Sequence, residues 1–357
     1  MHIFDYSFLD NGLLPTGIVN LTSTISALKA LADERKNKNQ IVYTQLESIA
    51  RIQSVKNSNA IEGIVTTDAR IKEIVEGNSA PLNHSEMEIA GYRDMLDEIH
   101  REHSILAVNE DTIRYMHKVM FNIANYSYAG QYKIEDNLIM TIDSAGKRSV
   151  RFKPVTATDT KDAMEQLIYA YMDARGNANI NQLLLIPCVI LDFLCIHPFS
   201  DGNGRVSRLL SLLLLYKNEY DICKYASFEE QINNTKDSYY QALYNSSQGW
   251  HENNNSYIPF MENFLMTLYK CYKELDQRFS VVNGKRLKKN ERIEQTVLNS
   301  ILPISKADIC EFLPDVSVTT VEAVLGRMVK EGTVQKLGQA RSTKYVNAKY
   351  IKQEKPQ

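Results

Sequence analysis

The 357-residue sequence has little of what marks secreted, zinc-bound or membrane-embedded proteins. Its five cysteines are scattered and include no C-x-x-C pair, so we expect neither a disulfide framework nor a zinc site. The N-terminus lacks the basic and apolar regions of a signal peptide. The longest apolar stretch, Leu183–Ile196, is shorter than the roughly 20 residues that a membrane span needs. We therefore expect a cytoplasmic protein without membrane contact.

A strong charge of either sign is also lacking. Lys+Arg number 41 against 43 Asp+Glu, a formal net charge of -2, so the whole chain is not an obvious nucleic-acid binder. The balance is uneven, because residues 284–357 alone carry 14 Lys+Arg against 8 Asp+Glu. The length fits two or three packed units, and the asymmetry predicts separate modules with separate partners.

Most of the chain carries the three- and four-residue apolar spacing of amphipathic helices. A helix is expected to begin near Asn83, an N-cap residue with Glu86 three positions later. The other predicted helices are Ile18–Leu31, Ile41–Ser54, Glu110–Ile123, Asp159–Ala174, Gln182–Ile196, Gly204–Lys217, Phe228–Ser246 and Pro259–Phe279. One segment differs: Asn137–Lys153 alternates apolar and polar residues around Ser144-Ala145-Gly146, which predicts a β-hairpin.

The C-terminal part has a pattern of its own. After a predicted linker at residues 281–290, helical patterns cover Glu291–Leu302, Lys306–Leu313 and Thr319–Glu331, and Thr333–Val346 resembles two short strands. This order is typical of a winged-helix module. We predict a mainly α fold with a β-hairpin flap, followed by a small α+β winged-helix domain. The predicted divisions are 1–105 (N-terminal helical region), 106–280 (helical core), 281–290 (linker) and 291–357.

Asp201-Gly202-Asn203-Gly204 joins two strongly apolar helical runs. Two glycines let backbone N–H groups converge, and the following helix would point its positive end into the same space, which favours an anion site. Arg205 and Arg208 can both face that anion, and guanidinium groups suit phosphate. Asp201 offers an oxygen for magnesium, and His197 has the pKa expected of a general base.

Each of these features has an ordinary structural explanation. A glycine-rich loop with two arginines is more often a helix–helix turn than an active site, and a lone histidine at a helix end is usually structural. The combination is what favours a phosphate-handling site: a base, a metal ligand, an anion nest and two cations fall within the twelve residues from His197 to Arg208.

Those twelve residues, HPFSDGNGRVSR, resemble the Fic-family signature H-P-F-x-[D/E]-G-N-G-R-x-x-R at every fixed position. Ala129–Lys133 (AGQYK) looks like the family's Gly-x-Tyr-Arg segment, with Lys133 in place of Arg. Tyr239–Leu243 (YYQAL) resembles the Tyr-Tyr-x-x-Leu segment that helps to wall the nucleotide. The resemblance covers residues 1–280.

The resemblance implies a protein adenylyltransferase that moves AMP from ATP onto a Ser, Thr or Tyr hydroxyl of a target protein, or of itself. His197 would be the general base, Phe199 would fix the loop in the core, and Asp201 would hold Mg²⁺ or Mn²⁺. The hairpin would be a flap that docks the target. The implied ligands of the nucleotide are Gly202, Asn203 and Gly204 for the phosphates, Arg205 for the β-phosphate, Arg208 for the γ-phosphate, and Tyr239 and Tyr240 for the wall; the flap residues are Leu138, Ile139, Met140, Thr141 and Ile142.

A second segment, Ser58–Gly63 (SNAIEG), resembles the inhibitory pattern [S/T]-x-x-x-E-[G/N] of self-restrained Fic enzymes. Ser58 and Glu62 share a helical face, and Gly63 suits the residue after a helix end. By the resemblance, Glu62 would engage Arg208 and misplace the triphosphate. An ordinary helix end with an exposed glutamate is the alternative.

Several readings stay open. Glu62 could also support removal of AMP, which would make the protein a de-adenylylase or a bifunctional enzyme, and relatives with this fold also move phosphocholine or phosphate. A reading of another class is a DNA-binding regulator whose Fic-like part senses nucleotide. The C-terminal cations suit DNA phosphates, yet acidic residues accompany them and protein docking is equally compatible with the module: the cations are Arg327, Lys330, Lys336, Arg341 and Lys344, and the acidic residues Glu322 and Glu331. The target and the choice between monomer and homo-oligomer are also open.

Overall fold

The structure is a computed structural model and describes residues 2–142, 148–283, 288–298, 300, 303–313, 315–338 and 343–348. It is 65% helical with small antiparallel sheets, which confirms the predicted mainly α fold with a β-hairpin. The helices are α1 Phe8–Asn11, α2 Thr16–Lys38, α3 Gln40–Ile61, α4 Asp68–Val75, α5 His84–Glu102, α6 Glu110–Asn122, α7 Thr160–Gly176, α8 Gln182–Ile196, α9 Asn203–Lys217, α10 Phe228–Asn234, α11 Lys236–Ser247, α12 Ile258–Asn283, α13 Lys289–Leu298, α14 Lys306–Phe312 and α15 Val318–Lys330, with a 3-10 helix at Asp221–Lys224. The strands are β1 Ile139–Ile142, β2 Arg148–Phe152, β3 Ile304–Ser305, β4 Val334–Leu337 and β5 Lys344–Asn347.

The helix predicted over Phe228–Ser246 is in fact two helices. Thr235, with φ -128°, lies between α10 and α11, and its hydroxyl donates to the Gln231 carbonyl. The break was not predicted because the apolar spacing continues across it. Helices α1 and α4, the 3-10 helix and strand β3 were also not predicted, because elements this short carry little periodicity.

The chain divides into two compact units. One comprises residues 1–37 and 46–272, and the other comprises residues 38–45 and 273–357. The domain boundaries predicted at residues 105, 280 and 290 stay predictions. In the described part of the chain, no helix combines the length and apolar character that crossing a membrane requires.

The core of the first unit is built around α8 and α9, which pack against each other. Nearly every side chain of α8 is buried, as expected for a helix that is apolar all round. Its one acidic residue, Asp192, is 0% exposed and accepts hydrogen bonds from Tyr6 Oη (2.8 Å), Trp250 Nε1 (2.7 Å) and Tyr257 Oη (3.0 Å). Burial raises the pKa of Asp192 to about 7. The N-terminal segment is therefore tied to the helix that ends at the candidate base.

The predicted hairpin is present as β1 paired antiparallel with β2. Met140 lies opposite Val150, and Ile142 opposite Arg148. The predicted turn, Ser144–Gly146, lies outside the described residues. Both strands belong to the first unit, and β1 begins two residues after Asn137, which contacts the loop between α8 and α9.

In the second unit, β3, β5 and β4 form an antiparallel sheet in that order. Helices α13, α14 and α15 pack on it around a core that includes Ile293, Ile309 and Leu325. Helix α14 begins with a capping box between Ser305 and Asp308. Helix α13 ends at Leu298, earlier than predicted: Ser300 is not helical, and the remaining residues up to Leu302 lie outside the described part, as does Arg341.

Candidate functional site

A cleft of about 720 Å³ opens in the first unit between the hairpin, the end of α8, the start of α9 and helix α11. It brings together residues that are far apart in the sequence. Most of the predicted site residues line it: Glu62, Leu138, Ile139, Met140, Thr141, His197, Asp201, Asn203, Gly204, Arg208, Tyr239 and Tyr240. The side chain of Ile142, the remaining predicted flap residue, lies outside the described part of the structure.

His197 ends α8 in a left-handed conformation, with φ 54° and ψ 59°. Its backbone N–H donates to Phe193 O (2.9 Å), and its Nδ1 donates to Leu194 O (3.2 Å). A carbonyl can only accept, so the proton lies on Nδ1 and the lone pair on Nε2. Burial lowers the pKa of His197 to about 4, which keeps the imidazole neutral at pH 7. The side chain has the form that a general base requires.

The loop after His197 is closed by the Asn203 side chain. Its Oδ1 accepts from the Phe199 backbone N–H (2.9 Å), and its Nδ2 donates to Phe199 O (2.7 Å). Gly202 has φ 77°, and a Cβ there would lie 2.6 Å from Phe121 Cε2, so only glycine fits. The loop is therefore shaped before any ligand binds.

His117, on α6, supports this loop and was not predicted. Its ring stacks on Phe199 at 4.0 Å, Nδ1 accepts from the Gly130 N–H (2.8 Å), and Nε2 donates to Asp201 O (3.1 Å). Burial lowers the pKa of His117 to about 4, so it too is neutral. In the sequence it lies on the apolar face of α6 and looks like an ordinary core residue.

Asp201 is the candidate metal ligand. Its side chain is 64% exposed and lines the cleft, and its Oδ1 accepts from the Gly202 N–H (2.6 Å). The described residues contain no cluster of three or more His, Cys, Asp or Glu side chains that could hold a metal ion. One carboxylate beside an anion site fits magnesium, which is usually held by one or two carboxylates together with phosphate oxygens and water.

Arg208, on α9, is 2% exposed and fully engaged with the end of α3. It donates to Glu62 Oε1 (2.8 Å), Ser58 Oγ (2.8 Å) and Ser58 O (2.9 Å). Burial pushes the pKa of Glu62 upward, but the attraction of Arg208 outweighs it, so this pKa lies below its usual value. The carboxylate is therefore ionised at neutral pH.

Gly63 lies two residues after the end of α3 and has φ 80°, and the Ile64 N–H donates to Asn59 O (3.0 Å), which together make a Schellman-type helix end. This end directs Glu62 against the first turn of α9: a Cβ on Gly204 would lie 2.2 Å from Glu62 Oε1. A helix N-terminus is where an anion is stabilised. The Glu62 carboxylate thus occupies the predicted anion site itself.

Arg205 is not among the described residues that line the cleft. It lies beneath the loop, 1% exposed, with Glu88 Oε2 at 2.7 Å and its guanidinium 4.9 Å from the centre of the Phe121 ring. The sequence did not reveal Glu88, which lies on α5 far from the signature. A third residue that was not predicted, Arg151 on β2, donates to Tyr240 O, and its guanidinium lies 5.3 Å from the centre of the Tyr240 ring.

Comparisons with known proteins agree with this geometry. Residues 107–215 match the model of the Fic/DOC family. Among solved structures, a Fic family protein from Desulfovibrio desulfuricans G20 has a TM-score of 0.61 at 18% identity, covering 94% of this chain and 97% of its own. A Fic-domain-containing signaling protein from Bacteroides thetaiotaomicron VPI-5482 has 0.55 at 20% identity, covering 72% and 97%.

A variant fragment of Fic-1 from C. elegans has a TM-score of 0.55 at 15% identity and covers 73% of this chain and 72% of its own. These identities show likeness of fold alone. A search of curated proteins found no match. The family match spans the hairpin, the signature loop and Arg208, and therefore most of the cleft wall. Residues 107–215 are thus the part of this chain that matches the Fic/DOC family.

Proposed function

We propose that the protein is an adenylyltransferase that moves AMP from ATP onto a Ser, Thr or Tyr hydroxyl of a target protein or of itself. One observation carries the proposal: a neutral His197 with its lone pair on Nε2 shares a cleft with the N-terminus of α9 and with Arg208. A general base, an anion-binding site and a cation are the groups that the transfer of AMP to a hydroxyl requires.

In this reaction the target oxygen attacks the α-phosphorus, the bond to the pyrophosphate oxygen breaks, and Nε2 of His197 takes the hydroxyl proton. The backbone N–H groups at Asn203 and Gly204 and the Arg208 guanidinium would orient the phosphates. Asp201 would hold Mg²⁺ or Mn²⁺, which neutralises phosphate charge when bound. Positioning and charge account for most of the catalysis in such transfers.

We propose further that Glu62 restrains the enzyme. The carboxylate lies against Gly204 and is bound to Arg208, where it competes with a phosphate group for the same helix end and the same cation. Ser58 reinforces the restraint with two further hydrogen bonds to Arg208. The resting protein is therefore expected to transfer AMP slowly although its signature is complete.

For residues 291–357 we propose a winged-helix module. The support is the order of elements, in which β3 lies between α13 and α14 and the strands β4 and β5 follow α15, together with the sheet order β3-β5-β4. This order alone does not separate DNA from protein as a partner.

The test of the proposed transfer uses the full chain carrying Glu62→Gly, incubated with magnesium and ATP labelled at the α- or the γ-phosphorus. We expect a mass gain of one AMP and label from the α-position only. The matched control is the double variant Glu62→Gly/His197→Ala, which should gain nothing. No gain in the single variant, transfer of the γ-label, or an equal gain in the double variant would overturn the assignment.

A further inference from the structure

Residues 133–137 lie immediately before the hairpin and contact the loop that carries His197. The Lys133 backbone N–H donates to Pro198 O at 2.9 Å. Its Nζ donates to Ile196 O (3.2 Å) and to Asn137 Oδ1 (2.8 Å). Burial lowers the pKa of Lys133 to about 8, so it is a cation at neutral pH, which suits the negative end of α8.

Asn137 satisfies the remaining carbonyls of the loop. Its Nδ2 donates to Phe199 O at 3.1 Å and lies 3.5 Å from His197 O, while its Oδ1 accepts from Lys133. Lys133 and Asn137 thus donate hydrogen bonds to the four consecutive carbonyls of residues 196–199. We call this set of contacts the carbonyl clamp.

The clamp acts where the backbone needs support. His197 is a non-glycine residue in the left-handed region, and such conformations persist only where the surroundings hold them. The carbonyls at a helix end also lack partners within the helix. The clamp supplies these partners on both sides of His197 and so fixes the direction of its imidazole.

The clamp also joins the base to the flap. Leu138, which follows Asn137 directly, lines the cleft and starts the run of flap residues, and β1 begins at Ile139. The base of the flap is therefore connected by hydrogen bonds to the carbonyls around His197.

From this geometry we infer that Lys133 and Asn137 are positioning residues, which hold His197 in its productive orientation and couple it to the flap. The inference rests on the proposed transfer activity. It predicts a loss in the rate of transfer without a loss in nucleotide affinity, because neither residue is among those lining the cleft. A merely structural role would instead lower stability or weaken ATP binding as well.

The experiment uses the full chain with Glu62→Gly as the parent and measures ATP affinity together with AMP incorporation at saturating ATP. Asn137→Ala should slow incorporation about 100-fold, since a displacement of about 1 Å has an effect of this size, with the Kd for ATP unchanged. Lys133→Met should act similarly, and Lys133→Arg should keep most of the rate because guanidinium can donate to the same acceptors. Gln131→Ala, which removes an exposed amide two residues before Lys133, is the control and should keep the rate.

Thermal melting checks that each variant folds. If Asn137→Ala does not fold, Asn137→Asp replaces it, since a carboxylate keeps the bond to Lys133 while losing the donor to Phe199 O. A parent that incorporates no AMP overturns the proposed function. An active parent whose Asn137 variants are equally fast, or lose ATP affinity in proportion to rate, overturns the positioning role alone.

Discussion

Glu62 Oε1 lies 2.8 Å from a terminal guanidinium nitrogen of Arg208, across 146 residues of sequence. The same oxygen is the nearest neighbour of the position that a Cβ on Gly204 would take. The carboxylate thus meets both the cation and the helix end that the signature offers to a phosphate. Since 32% of the Glu62 side chain is exposed, an incoming nucleotide can contact it directly.

Replacing Glu62 by Gln separates charge from shape. The amide keeps an oxygen that accepts from Arg208 but loses the negative charge, and a charge-assisted hydrogen bond is about twice as strong as a neutral one. We expect AMP incorporation about tenfold above wild type and below Glu62→Gly, measured by intact mass over time. Glu165→Gln, which alters a surface ion pair with Lys161, is the matched control. If Glu62→Gln is as slow as wild type while Glu62→Gly is fast, the restraint is steric rather than electrostatic.

The protonation state of His197 can be tested without nucleotide. Its pKa is lowered from 6.5 to about 4 by burial, so the ring should stay neutral as the pH falls from 7 to 5. The NMR signal that disappears in His197→Ala identifies the ring, and its chemical shift should be constant over that range. A midpoint near 6.5 would contradict a buried neutral base.

The lowered pKa of His197 also makes the free energy of unfolding depend on pH. Because the folded-state pKa lies below the unfolded value, the unfolded chain takes up the proton first as the pH falls. The contribution of His197 to the free energy of unfolding is therefore complete above pH 6.5 and is lost between about 6.5 and 4. His197→Ala should lose less stability than wild type over this interval in denaturant titrations.

Arg205 is expected to matter more for stability than for nucleotide binding in the resting protein. Arg205→Met leaves Glu88, whose side chain is 12% exposed, without its 2.7 Å partner, and breaking a largely buried pair of this kind costs about 3 kcal/mol. The double variant Arg205→Met/Glu88→Gln removes the stranded charge and should recover part of this loss in thermal melts. Should the double variant recover stability yet bind ATP much more weakly than its Glu62→Gly parent, Arg205 contacts phosphate after a rearrangement.

The local part of the site could be predicted from the sequence for a simple reason. One helix end, a short glycine loop and the next helix start fix the relation of His197 to Asn203, Gly204 and Arg208 within twelve residues. Glu62 required the resemblance to a known pattern, because a helix end 146 residues away carries no local mark of its partner.

Other partners could not be predicted because they are long-range. His117 looks like a core residue until Phe199 and Asp201 are placed against it, and Glu88 looks like a surface acid until Arg205 lies beside it. Asn137 lay inside the predicted hairpin, yet its hydrogen bonds reach the loop 60 residues later. Packing creates these contacts, and periodicity does not encode them.

Binding of duplex DNA by the C-terminal unit is expected to be weak. Arg327 on α15, one of the cations that suit phosphate, is paired with Glu294, and Lys306 at the start of α14 is paired with Glu322 at 2.6 Å, so each of these cations already has a carboxylate partner. For the full chain we expect affinities in the non-specific range of about 10⁻⁴–10⁻⁶ M at physiological salt, measured by fluorescence anisotropy.

The double variant Glu294→Gln/Glu322→Gln releases Arg327 and Lys306 and should strengthen binding with a steeper dependence on salt, because more phosphates are then neutralised. Glu165→Gln, in the first unit, serves as the control for a lost carboxylate. Submicromolar binding of wild type to one duplex over others would contradict this expectation and would favour the DNA-binding regulator. Weak binding that strengthens only in the double variant would confirm that the wild-type unit keeps these two cations paired with its own carboxylates.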